Sequence, residues 1–295
     1  MTLVLNPFFS LCTMRAMPIR IVTGSSGFVQ MKASFEKNRE HYLQEALGLA
    51  IFMFSACFFG ALLEAKTSAV HLALPNAFER NVIMGVLMGA TALFIFYSSF
   101  TAPSGAQINP AVTITFFRLG KMCKYDALFY IIFQFIGGTL SVFFMQWLMG
   151  KTLTDAPVNS VTTVPGKAGA IYAAITEFCI AFIMISMVLF TSTSRALKKY
   201  TRIIAGCFVC LYVIVAGPVS GFGMNPARSF ASAFPSGIYT SFWIYLIIPF
   251  AGMLTAAEFF LLITKAKKRC RLKIVHKNIS IKKSKHEKVF KDLTY

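Results

Sequence analysis

The tripeptide Asn-Pro-Ala occurs twice in this chain, in matching surroundings. The first copy is Ser104-Gly105-Ala106-Gln107-Ile108-Asn109-Pro110-Ala111, the second Ser220-Gly221-Phe222-Gly223-Met224-Asn225-Pro226-Ala227. Asn before Pro starts a helix, because Asn caps it and Pro suits the first helical position, where no N–H is needed. One such tripeptide is an ordinary cap. Two copies, each preceded by Ser-Gly and a long apolar segment, point to an internal repeat.

The apolar segments set the class. Hydrophobic residues make up 56% of the 295 positions and charged residues only 14%, against about 25% charged in soluble domains. Runs of about 20 apolar residues are long enough to cross a bilayer. They fall near 43–63, 81–100, 127–149, 169–191, 202–217 and 240–263, which gives six spans. The seven cysteines (Cys12, Cys57, Cys123, Cys179, Cys207, Cys210 and Cys270) form no metal-ligand or disulfide pattern. No metal or redox function is read from them.

Charge sets the orientation. Lys32, Lys37 and Arg39 precede the first span. Arg118, Lys121 and Lys124 lie between the second and third, and Arg195, Lys198, Lys199 and Arg202 between the fourth and fifth. A tail with 12 Lys and Arg against Glu287 and Asp292 follows the sixth. With six spans all four clusters share one side, so both termini are expected in the cytoplasm. The net charge of +18 therefore reads as a membrane flank and not as a nucleic-acid surface. Residues 1–42 are expected to be a flexible cytoplasmic segment, with Met31 an alternative start to Met1. Residues 43–264 are expected to form the membrane domain, in two repeats of about 43–149 and 169–264, with 265–295 a basic cytoplasmic tail.

Each repeat holds a glutamate in its first span (Glu45, Glu177), a second span, an Asn-Pro-Ala segment and a third span. Three spans per half is an odd number, so the halves have opposite orientation. The segments 110–118 and 226–234 are too short to cross. They are expected as re-entrant half-helices meeting near the midplane, with Ser104–Ile108 and Ser220–Met224 turning their carbonyls toward a pore. The expected fold is an all-α membrane protein with six transmembrane helices and two re-entrant half-helices. Glu45 and Glu177 could relay protons, but two symmetric glutamates with no partner His fit better as acceptors for the loop N–H groups. The pairs Gly85/Gly89 and Gly217/Gly221, and Gly137-Gly138, read as close helix contacts.

At such a junction two helix N-termini face each other, each equivalent to about half a positive charge. At roughly 4 Å and an effective dielectric near 20, each repels a monovalent cation by about 2 kcal/mol. Neutral solutes escape this term, and the amide donors of Asn109 and Asn225 interrupt a proton-conducting water file. Arg228 follows the second motif. Its place one turn into the half-helix favours pore lining over snorkelling or pairing with Glu177.

These features resemble the aquaporin, or major intrinsic protein, family from about Glu45 to Thr264. Ser104-Gly105-Ala106, both Asn-Pro-Ala motifs, Arg228, both glutamates and Gln134 carry the resemblance. It implies an aquaporin-like six-helix bundle, usually a homotetramer in the lipid bilayer with one pore per subunit, conducting passively and without a cofactor. Ser229, Ala233 and Phe242-Trp243 look like the water-selective branch. The implied selectivity filter departs from it: Arg228, Phe222, Val213 where water-specific members carry His, and Met88 or Gly89. Phe222 stands where a mercury-sensitive Cys is usual, and Gln107 replaces the usual His. A water channel excluding protons and ions is expected, with a glycerol-type channel for small neutral solutes as the alternative. A coupled secondary transporter would need a titratable or cation-binding group at the midplane, where asparagines and positive dipole ends are the wrong sign. A structural or adhesion role is the third reading. No nucleophile, base or metal set converges to make an enzyme.

Overall fold

The computed structural model describes residues 27–265, and the expectations about the N-terminal stretch before Gly27 and the tail after Lys265 lie outside them. Among these residues there is no strand. The six long apolar helices are α1 (Gly27–Glu64), α2 (Ala77–Tyr97), α4 (Lys124–Met149), α5 (Ala170–Thr193), α6 (Thr201–Ser220) and α8 (Trp243–Lys265). Each is long and apolar enough to cross a membrane. Among the shorter pieces between them are two half-length helices, α3 (Pro110–Arg118) and α7 (Pro226–Ser236). At about 1.5 Å per residue neither reaches across a hydrocarbon layer of roughly 30 Å.

The first helix corrects one expectation. Residues 27–42 are not a flexible flank, because α1 begins at Gly27 and runs on unbroken into the first span. Ser34, Asn38 and Tyr42, spaced by four, form one stripe on this extension. Their side chains donate to Asp126 Oδ1 at the start of α4, at 2.6, 2.9 and 2.6 Å. Tyr42 is fully buried and its ring packs against Phe129 and Tyr130. Charged residues on the exposed side, including Lys32, Glu36, Lys37 and Arg39, dilute the apolar signal that a hydropathy window reads.

Helix contacts explain most of the small residues. α1 packs along α4 and α2 along α6. A Cβ on Gly137 would fall into the backbone of Ala46, and one on Gly138 would meet Leu49 and Ala231. A Cβ on Gly85 would meet Ile214 at 2.5 Å, and one on Gly89 would meet Cys210 Cβ at 2.8 Å. The second Gly pair behaves differently. Gly221 takes a left-handed φ of 77° and ends α6 as its C-cap. The nearest atom to a Cβ on Gly217 is Asn81 Oδ1 at 3.7 Å, an ordinary contact.

Two variants separate these roles. Gly137→Leu should lower the thermal midpoint in detergent, by about 1–3 kcal/mol of overpacking or more, whereas Gly217→Ala should leave it nearly unchanged. Size-exclusion chromatography after a temperature ramp measures both.

Candidate functional site

The two short helices are built at their starts by the same local chemistry. Pro110 and Pro226 occupy the first turn, where a missing N–H costs nothing. Asn109 Oδ1 accepts from Ala111 N at 2.9 Å. Asn225 Oδ1 accepts from Ala227 N at 3.1 Å and Arg228 N at 3.2 Å. With the oxygen committed to the cap, each amide nitrogen points outward, and one of its N–H groups crosses to the other repeat. Asn109 Nδ2 donates to Met224 O at 3.0 Å, and Asn225 Nδ2 donates to Ile108 O at 2.6 Å. The two half-helices thus meet at their N-termini. Each NH₂ keeps a second N–H, and both asparagines border the main cavity.

The loops before each Asn have matching backbones. Gly105, Ala106 and Ile108 have φ of 95°, 47° and 44°, and Gly221, Phe222 and Met224 have φ of 77°, 49° and 35°. Left-handed conformation at a bulky residue such as Ile, Phe or Met is strained, so the surroundings must hold it. Buried glutamates from α1 and α5 do so. Glu45 accepts from Ser104 Oγ (2.6 Å), Gln107 N (2.9 Å) and Ile108 N (2.5 Å). Glu177 accepts from Ser220 Oγ (2.6 Å), Gly223 N (2.7 Å) and Met224 N. Tyr130 donates to Ser104 O at 2.8 Å, and Tyr245 donates to Ser220 O at 2.7 Å. Gly48, one turn after Glu45, leaves room for Ile108, whose Cγ2 would lie 2.6 Å from an added Cβ. Gln134 Nε2 adds a further donor to Glu45 at 2.8 Å.

The expectation that all five carbonyls of each loop face a pore needs correction. Ser104 and Ser220 give theirs to tyrosines, and Ile108 and Met224 give theirs to the opposite asparagines. Gly105, Ala106 and Gln107, with Phe222 and Gly223, border the cavity.

That cavity has a volume of about 110 Å³, enough for a short file of waters. Apolar side chains of Phe52, Phe96, Phe116 and Val188 line it together with residues of the two loops. Arg228 and Phe222 border it. Arg228 Nη1 donates to Ser232 Oγ at 3.4 Å, while Glu177 spends its oxygens on the loop. The ring of Phe222 meets that of Tyr212 edge-on at 6.0 Å. A second cavity of about 180 Å³ lies at the end of α1, lined by Glu64, Asn81 and Met84 among others.

The two candidates on α2 now separate. Met84 lines the second cavity, and Ala92 and Phe96 line the first. Met88 falls between them on the same four-residue stripe and is buried. Gly89 faces α6 instead, so it is a packing residue and not a lining one. Val213 is half-buried, one turn beyond the cavity-lining Val209, and does not itself border the cavity. Most of the lining side chains had no part in the expected site, Phe116 and Arg202 among them. Phe116 sits in the first half-helix, and Arg202, read only as one of a basic cluster, opens α6.

Long helices, two half-helices meeting at asparagine caps and a cavity at their junction define a membrane channel with inverted repeats. A model of the family described as Major intrinsic protein matches residues 32–260. The chain is 32% identical over 222 residues to "Aquaporin NIP1-2" of Arabidopsis thaliana, covering 73% of this chain and 71% of that protein. It is 36% identical over 169 residues to "Probable aquaporin NIP-type" of Nicotiana alata, covering 57% and 61%. In fold it is similar to the aquaglyceroporin from Plasmodium falciparum, with a TM-score of 0.61 at 19% identity, over 75% of this chain and 94% of that one. The chain belongs to the major intrinsic protein family of membrane channels, and so is not an enzyme.

Removing either glutamate should unmake its loop. Glu177→Ala strands three donors, each costing about 1–3 kcal/mol if left buried without a partner. The expected outcome is a large loss of thermal stability in detergent together with loss of transport. Glu177→Gln keeps one acceptor oxygen and should fall between the variant and the native chain.

Proposed function

We propose that this protein conducts water passively and excludes protons and ions. The observation that carries this reading is the crossed pair Asn109–Met224 and Asn225–Ile108 at the cavity. Each asparagine has its oxygen fixed in a cap and one N–H fixed across the junction. The remaining N–H is aimed by default, at no cost in side-chain freedom when a permeant arrives. A water that accepts from both is held with its own hydrogens pointing away from the junction on either side, which breaks proton hopping. The two dipole ends and the charge of Arg228 raise the energy of any cation there.

The lumen is lined by aromatic and aliphatic groups together with the polar groups of Gln107, Asn109, Asn225 and Arg228. That mixture suits a small permeant carrying both hydroxyls and carbon. It supports small neutral solutes such as glycerol as second permeants, and the similarity to proteins named as aquaporins and an aquaglyceroporin fits either solute. Met88, Phe222, Val213 and Arg228 are the residues proposed to set the narrow point, with Met88 closing the gap between the two cavities.

The basic loops support a cell-membrane protein with both termini in the cytoplasm. The family resemblance supports a homotetramer with one pore per subunit.

Stopped-flow light scattering of proteoliposomes tests the function. Swelling and shrinkage well above empty vesicles is expected under a sorbitol gradient, and water flow equal to empty vesicles would overturn the reading. Fast entry under a glycerol gradient would assign the second permeant. Met88→Ala should speed glycerol entry several-fold, corresponding to about 1 kcal/mol, the lower end of what steric fit contributes to selection. Mercurials should leave the filter unlabelled, since Phe222 stands there and the free Cys57 is buried in α1.

A further inference from the structure

One helix of the bundle carries a proline inside its own hydrogen-bond ladder. Pro218 lies within α6 (Thr201–Ser220), shortly before its end. It has no N–H, so the helical bond that residue 218 would give to the carbonyl of Ile214 cannot form. Asn81, in the second turn of α2, supplies the missing donor. Its Nδ2 donates to Ile214 O at 2.8 Å, across 133 residues of sequence. At membrane depth a carbonyl without a donor is costly, and this bond removes that cost.

Both helices make room for it. Asn81, Gly85 and Gly89 are spaced by four and share the face of α2 that meets α6. On α6, Gly217 has no side chain to displace the amide, and a Cβ there would have Asn81 Oδ1 as its nearest neighbour. Past the proline the chain is tied from other sides. Gly166 N donates to Val219 O at 2.9 Å, and Tyr245 donates to Ser220 O at 2.7 Å.

The position of this turn gives the bond its meaning. Val213 stands five residues before Pro218 and Phe222 four residues after it, while Met88 lies about two turns beyond Asn81 on α2. The turn that lacks a backbone bond is therefore the joint between residues proposed for the narrow point. On the basis of the proposed channel function, we infer that Asn81 is a positioning residue of the selectivity filter. Its amide replaces the N–H that Pro218 lacks, and it fixes Val213 and Phe222 relative to Met88. Without it the Ile214 carbonyl turns away to find another donor, the end of α6 parts from α2, and the narrow point widens. Widening helps a bulkier solute more than it helps water.

A cycle of the native chain, Asn81→Leu, Pro218→Ala and the double variant tests this in proteoliposomes. Leu has nearly the shape of Asn without its donor, and Pro218→Ala restores a backbone N–H within reach of Ile214 O. Stopped-flow measurement gives glycerol and water permeability on each batch, and their ratio does not depend on how much protein has folded. Asn81→Leu should raise the glycerol-to-water ratio about threefold or more. On the Pro218→Ala background the same substitution should change it by less than about 1.5-fold, because the two changes act on one carbonyl. An unchanged or lowered ratio in Asn81→Leu would overturn the inference. So would an equal rise on both backgrounds, which would make Asn81 a lining residue of the second cavity and no more. If Asn81→Leu fails to reconstitute, the double variant should reconstitute with the ratio of Pro218→Ala, and its failure would also overturn the inference. Water flow equal to empty vesicles in the native chain would instead overturn the channel function on which the inference rests.

Discussion

Two buried carboxylates hold the centre of this protein together. Glu45 and Glu177 each gather a serine hydroxyl and two loop N–H groups. Irregular backbone at membrane depth must satisfy its polar groups inside the protein, and these loops could not do so alone, because left-handed residues break any local ladder. The glutamates supply the acceptors from neighbouring helices. Once they are in place, the asparagines can be oriented, the half-helices can start at the junction, and the cavity has a polar side. Helix packing serves the same end: Gly48 and Gly137 bring α1, α4 and the first loop close enough for one carboxylate to reach all its donors.

The two repeats are chemically alike but not identical, and the differences mark where function enters. Gln134 assists Glu45, and Gln107 accepts from Thr113 Oγ1 at 2.8 Å. In the second half Phe222 and Arg228 replace such polar tethers with bulk and charge at the cavity.

Much of this was legible in the sequence because the signals are local. Run length gives the spans, and Asn-Pro gives α3 its start at Pro110 and α7 its start at Pro226, since caps depend only on neighbouring residues. The odd number of spans in each repeat gives the inverted halves. The filter was less legible, because lining depends on how each helix is rotated in the bundle. Counting back from a motif leaves Met88 and Gly89 equivalent, and only the contact of Gly89 with Cys210 and Gly206 separates them. Arg202 was hidden for another reason: a charge rule uses the sign of a cluster and ignores which member turns inward. The extension 27–42 escaped because its buried stripe is polar, held by Asp126 and not by apolar area.

The crossed bonds between the loops also have a meaning in time. Their partners are 115 and 117 residues apart in the chain. At a synthesis rate of about 5–20 residues per second, the first loop waits roughly 6–23 s before its partner has even been made. Until then Asn109 and Ile108 are a half-built contact in a membrane that offers little water. The first repeat must therefore sit in the bilayer as an unfinished interface, steadied by Glu45 and Gln134, and the second repeat docks onto it as a partner subunit would. The richer polar support of the first loop is what a segment needs if it has to wait.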